Sequence, residues 1–334
     1  MTDQADDWLI YRGAGVPHDG ITRLPPPPPW RAFGGGPPIA PAEGGFDRRG
    51  VTYQPATGEV EAVNAALYLR RPLLVTGAPG SGKSTLAYSI AHELGLGPVL
   101  SWPITSRSTL QEGLYRYDAI GRLQDAQVAV TDRVADVGSP WDRPEVARYI
   151  SLGPLGTALL PWDRPRVVLI DELDNSDIDL PNDLLNIFEE GAFVIPELAR
   201  LAHYVPDVEI AGEGGNRVLI RHGEIRCRTF PIVVITSSGE REFPPRMLRR
   251  CVRLQLAPPS IERLSQIVTA HLGEEAMAQA STLIERFLEA RRYGETTTDQ
   301  LLNAIYLATS GLGGSERRAR LADEILRSAT TDDG

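Results

Sequence analysis

The chain has 334 residues, 42% hydrophobic and 23% charged, enough for one large domain and a smaller one. Its net charge of −10 excludes a molecule built as a whole to hold polyanions, while leaving room for a local basic surface. Cys227 and Cys251 are the only cysteines, with no CxxC pair and no zinc spacing, which predicts a reduced, cytoplasmic setting. Neither a signal peptide nor an apolar run long enough for a membrane span is expected.

Residues 1–50 form a Pro/Gly-rich N-terminal arm. Pro25 to Pro29 precede Trp30, and Gly34 to Pro38 and Gly44-Gly45 follow. Proline runs favour extended backbone and exclude helix and sheet. Four aromatics (Trp8, Tyr11, Trp30, Phe33) argue against a solvated tail, so an ordered arm packed on a subunit surface is expected. A docking segment for a proline-recognising partner is the alternative.

From Val51 the pattern is globular, and 51–257 reads as an α/β core. Val60 to Leu69 has helical apolar spacing and leads into the apolar strand Leu73-Leu74-Val75. Gly77-Ala78-Pro79-Gly80-Ser81-Gly82-Lys83-Ser84-Thr85 then fits the phosphate-binding loop, Gly-x-x-x-x-Gly-Lys-Ser, between a strand and a helix. Its glycines let backbone N–H groups converge on an anion, and the following helix adds its positive end. Lys83 would reach the β- and γ-phosphates of a nucleotide, and Ser84 would offer a hydroxyl to Mg²⁺. Lys83 is also the only lysine in the chain. A surviving lysine in an arginine-rich sequence marks a position that needs a compact ammonium rather than a planar fork.

Val99 to Trp102 reads as a second strand. A helix-bearing insertion is expected near 106–130, irregular in part, with a strand near Gly121 to Val130; a helix over Pro144 to Ile150 follows. Val167-Val-Leu-Ile-Asp171-Glu172 is an apolar strand ending in two acids, the second half of a nucleotide site. Asp171 would hold Mg²⁺ through water, and Glu172 would orient and polarise the attacking water. A helix from Leu180 to Glu190 leads into a β-hairpin near 191–229, and Pro231 to Thr236 forms another buried strand with Ser237 and Ser238 at its end. Arg249 and Arg250 precede a last strand, Val252 to Leu256. Pro258-Pro259 then open 258–334, where only helical segments follow: a smaller all-helical C-terminal lid domain.

The two nucleotide motifs, a strand ending in a small polar residue, and an arginine pair after it occur in the order of an AAA+ ATPase. The Leu-Leu-Asn-Ile-Phe-Glu-Glu helix with its hairpin, and the insertion near Ser106 to Asp118, resemble the MoxR-like branch. This resemblance implies a parallel-sheet P-loop αβα core and ATP with Mg²⁺ as cofactors. It also implies a self-assembled ring, a hexamer, acting on a protein substrate or a von Willebrand factor A domain partner. By the same resemblance Arg250, or Arg249 beside it, is the finger that reaches a neighbour's γ-phosphate. Two departures stand out. The family's Asn after the fourth strand is replaced at Ser237 and Ser238, and the lid stretch Glu295 to Gln300 has no arginine, so that Arg291 or Arg292 substitutes or the contact is absent.

Three functions fit these residues. The first is a ring ATPase that remodels a protein. The second is a nucleotide-gated switch with little turnover, favoured by the missing lid arginine and by Ser238. The third is a nucleic-acid-acting ATPase tracking a backbone with Arg217, Arg221, His222, Arg226 and Arg228; it is the weakest in a chain this acidic. The guanine-reading Asn-Lys-x-Asp of a GTPase requires a second lysine, which the chain lacks.

Overall fold

The computed structural model describes residues 8–40, 48–132, 145–291, 296–310 and 315–327. In chain order its elements are α1 (Thr57–Leu69), β1 (Leu73–Thr76), α2 (Lys83–Glu93), β2 (Leu100–Pro103), α3 (Leu110–Leu114), β3 (Tyr115–Tyr117) and α4 (Ala119–Asp132). They continue with β4 (Ile150–Leu152), α5 (Pro154–Ala158), β5 (Val167–Asp171), α6 (Leu180–Glu190), β6 (Ala192–Val194), α7 (Pro196–Ala199), β7 (Asp207–Ala211), β8 (Arg217–Arg221), β9 (Glu224–Arg226) and β10 (Ile232–Ser237). Then come α8 (Pro245–Arg250), β11 (Val252–Gln255), α9 (Ile261–Leu272), α10 (Glu274–Ala290), α11 (Thr298–Thr309) and α12 (Ser315–Arg327).

The central sheet is parallel, in the order β11-β1-β10-β5-β2. Its three inner strands carry continuous apolar runs because both faces are covered. Leu74, Val168, Ile170, Val233 and Ile235 join one core with α5 and α6. Leu73, Val75, Val167, Leu169 and Val234 join another with α1 and α2. This is the expected αβα arrangement, and it puts the C-terminal ends of β1, β5 and β10 side by side. The helices α9 to α12 share a third apolar cluster built on Leu264, Ile284, Phe287, Leu301 and Ile305.

A second sheet, β3-β4-β7-β8-β9-β6, was only half foreseen. The expected hairpin near 191–229 is two nested pairs, β6 with β9 and β7 with β8, and β3 and β4 of the insertion extend it through β7. The strand expected near Gly121 to Val130 is wrong: α4 covers it. Ile120 and Leu123 recur at helical, not alternating, spacing. The helix expected over Pro144 to Ile150 is a 3₁₀ segment, Glu145–Tyr149, running directly into β4; Pro144 lies outside the described residues.

Residues 8–40 of the arm pack by filling hydrogen bonds that the core leaves open; residues 1–7 and 41–47 lie outside the described residues. Asn64 is fully buried; its Oδ1 accepts from the Ile10 and Tyr11 N–H groups and its Nδ2 donates to the Tyr11 and Val60 carbonyls. The buried Glu93 carboxylate accepts from the Arg12, Gly13 and Gly15 N–H groups and meets His18 Nε2 at 3.1 Å. Farther on, Gly35 donates to the Cys227 carbonyl, and Ile39 forms a bridge with Trp162. The arm thus runs from α1 and α2 to the second sheet.

Replacing Glu93 by Ala strands three backbone donors. Glu93→Ala should therefore destabilise the fold by about 3 kcal/mol. The drop should appear as a lower urea midpoint, with release of the arm by limited proteolysis; an unchanged midpoint would show that the arm's bonds add nothing to the fold.

Candidate functional site

The strand ends meet at one place because the sheet is parallel. The loop after β1 turns through Gly80 and Gly82, whose φ values of 70° and 91° favour glycine. Gly82 is followed directly by α2, so the loop's donors and the helix start face the same space. Lys83 folds back over the loop: its Nζ donates to the Gly77 and Ala78 carbonyls at 2.9 and 3.1 Å and to Ser238 Oγ at 3.3 Å. Burial lowers the Lys83 pKa, opposed by the negative fields of Glu172, Asp174 and Asp171. Of the two serines, Ser238 is the one facing Lys83. Ser237 is buried and accepts from the Gly239 N–H instead.

Asp171 ends β5 beside the loop. Its Oδ1 accepts from Ser84 Oγ and from Thr236 Oγ1, each at 2.6 Å. A serine hydroxyl and a carboxylate side by side are the hard oxygen donors Mg²⁺ takes, with nucleotide oxygens and water completing the shell. The residues therefore fit the expected ion. No cluster of three or more His, Cys, Asp or Glu suited to a metal occurs among the described residues.

Glu172 stands at φ 59°, a left-handed backbone rare for a non-glycine residue, held by a 2.8 Å bond from its N–H to Thr236 Oγ1. Asn175 Nδ2 donates to Glu172 Oε2 at 3.0 Å, leaving Oε1 available to a water. Thr236 thus bonds to both adjacent acids. Sequence reading missed it, although its place one residue before the serine pair on a buried strand was visible.

Asp174 was also missed. It is buried, and its Oδ2 accepts from the Ser238, Gly239 and Glu240 N–H groups at 3.0, 3.0 and 3.2 Å. One carboxylate from the segment after β5 therefore fixes the loop after β10, which carries Ser238 to Lys83.

The C-terminal helices α9 and α11 form one side of the site. The cavity next to the loop holds about 440 Å³ and is lined by Gly80 to Thr85, Glu172 and Tyr53 of the core and by Arg263, His271 and Asp299 of α9 and α11. Residues Glu295 to Gln300, where no arginine occurs, contain a capping box instead: Thr297 Oγ1 accepts from the Gln300 N–H, and the Gln300 side chain accepts from the Thr297 N–H. Arg291 stacks over Phe287 and does not line the cavity; Arg292 lies outside the described residues. The lid cation that does line it is Arg263, and it is bound to Glu59 at 2.6 and 3.0 Å, with Tyr53 hydroxyl on the same carboxylate.

A Cβ on Gly80 would lie 2.4 Å from Thr297 Cβ. Gly80→Ala should therefore push the lid off the loop and weaken nucleotide binding by about tenfold or more, given the added left-handed strain. Titration with a fluorescent ATP analogue checks this, and an unchanged affinity would show that the Gly80–Thr297 contact is dispensable.

Arg249 and Arg250 end α8, away from this cavity. Arg250 forms an ion pair with Glu189 of α6, and the Arg249 carbonyl accepts from Arg71. Both side chains are exposed. On the hairpin, Arg217, Arg221 and Arg226 pair with Glu209, Asp207 and Glu224, so three members of the basic line are offset by carboxylates.

A family model, the AAA domain of the dynein-related subfamily, matches residues 72–251, more than half of the chain. No curated protein matches it. Among the described residues no helix is long and apolar enough to cross a membrane.

Proposed function

The chain belongs to the AAA domain family, and on that premise we propose that it is a Mg²⁺-dependent ATPase of the MoxR-like branch. In this reading it acts in the cytoplasm as a ring, a hexamer, and spends hydrolysis on remodelling or assembling a protein partner. A von Willebrand factor A domain partner follows from the family resemblance alone. Residues 51–257 act as the nucleotide-binding core and 258–334 as the lid.

One observation carries the reading: Lys83, Ser84 and Glu172 line a single cavity, and Asp171 at the end of β5 bonds to Ser84 beside it. The loop from Gly77 to Thr85 binds the phosphates, and Lys83 turns from the loop carbonyls and Ser238 to the β- and γ-oxygens. Ser84 and Asp171 would hold Mg²⁺, which would supply charge neutralisation at the phosphate oxygens. Glu172, anchored through its N–H and through Asn175, orients the attacking water with Oε1 and takes its proton. Before nucleotide arrives Ser238 holds Lys83 through an uncharged hydroxyl, where the family's amide would reach farther. An arginine from the next subunit, Arg250 or Arg249, completes the charge on the far side.

The switch reading retains one supporting observation, the lid that presents a capping box and an arginine already neutralised by Glu59. The paired hairpin arginines weigh against nucleic acid. Specific ATPase rate against protein concentration, with mass by light scattering with and without ATP, separates the readings. A rate that climbs with assembly supports the motor. Tight ATP binding with no turnover at any concentration supports the switch, and a monomer throughout removes the role given to the arginine pair.

A further inference from the structure

A second cavity, of about 470 Å³, lies at the opposite end of the central sheet from the phosphate loop. Pro25 to Pro27 and Arg31 of the arm form one wall. The other is Arg70, just after α1, with residues 163–165 before β5 and 228–230 before β10. Four arginines (Arg31, Arg70, Arg164 and Arg228) line it against one carboxylate, Asp163.

The arginines at its back have no counter-charge. Arg31 donates to the Arg70 carbonyl twice and to the Phe188 carbonyl, with its guanidinium over Phe33 and Phe230. Arg70, 8% exposed, donates to the Leu67 and Pro25 carbonyls. Neither meets a carboxylate among the described residues. Arg164 pairs with the exposed Asp19, and the Arg228 side chain makes no hydrogen bond or ion pair among the described residues. Each guanidinium carries five N–H donors, so Arg31 and Arg70 both retain donors beyond these bonds. Burial lowers the pKa of both, that of Arg31 to about 10.

Clustered arginines on an open surface are ordinarily solvated and need no ligand. Here two are desolvated beneath a proline roof beside the buried Phe230, the setting in which charge-assisted bonds to an anion are strongest. We propose that this cavity is a binding site for a small oxyanion of two or more charges, a phosphate ester or a polycarboxylate. Arg31, Arg70, Arg164 and Arg228 hold it between arm and core. The ligand's charge replaces the missing carboxylates, and because Arg31 belongs to the arm, binding fastens arm to core. The space is wider than a bare ion requires, so an organic body fits against the prolines.

The test uses the full chain with Lys83→Ala, so that the phosphate loop contributes little, and titrates pyrophosphate and citrate separately at constant ionic strength in a calorimeter. One-to-one binding of at least one of them is expected, weakened tenfold or more by adding Arg228→Ala or Arg164→Ala. Arg228 is exposed and its side chain has no hydrogen-bond or ion-pair partner among the described residues, so its variant should keep its unfolding temperature. Tighter binding of pyrophosphate identifies the phosphate-ester class, and tighter binding of citrate the polycarboxylate class. No binding of either anion, or binding that neither arginine variant weakens, overturns the proposal.

Discussion

Glu172→Gln is expected to lower ATP turnover by about 10²–10³-fold, the usual worth of a positioned base, while leaving ATP affinity within about threefold. The substitution keeps the shape of the side chain and the Asn175 contact, and it leaves the N–H bond to Thr236 in place. It removes only the basicity of Oε1. Asp171, Ser84 and Lys83, which bind rather than activate, remain bonded as before. Single-turnover hydrolysis with a parallel binding titration separates the two quantities. An unchanged rate would show that Glu172 does not act on the water; a matching loss of affinity would show that the strained turn at φ 59° had collapsed instead.

Arg250→Ala should cost about 10³-fold in turnover with nucleotide binding intact, the lower range for an arginine supplied across an interface. The stronger result is expected from mixing. Arg250→Ala subunits retain Glu172, and Glu172→Gln subunits retain Arg250, so neither assembly works alone. In a head-to-tail ring of the two at equal amounts, about one interface in four joins an intact Glu172 to an intact Arg250. Partial recovery of activity on mixing, absent when both substitutions sit in one chain, would locate the arginine in the neighbour. Failure to recover would return Arg250 to its partnership with Glu189 as a structural ion pair. Arg249→Ala, run alongside, decides between the adjacent arginines.

What the sequence made legible is what lies close together along the chain. The phosphate loop spans nine residues, and its glycines, lysine and serine carry their chemistry in their spacing. The acid pair ending β5 was equally plain, because four apolar residues before two carboxylates can be read without knowing their neighbours. Asp174 was not legible, since its purpose lies in three N–H groups more than sixty residues away. Arg263 escaped for the same reason: its partner Glu59 is 204 residues distant, and α9 looks like any amphipathic helix. The arm's order was readable from its aromatics, yet Asn64 and Glu93, which hold it, sit anonymously on α1 and α2. The error at 121–130 came from taking a polar, short-patterned stretch as irregular, where too few apolar residues recur to display the helical period of α4.

The lone lysine gives the molecule an unusual chemical simplicity. Acetylation, ubiquitin attachment and amine-reactive reagents all need a side-chain amine, and Lys83 is the only one here, 7% exposed and held by loop carbonyls. Acylation of any lysine in this chain is therefore acylation of the phosphate loop. Counting acylated side-chain amines by mass then becomes a direct reading of how open the loop is, falling as nucleotide fills it.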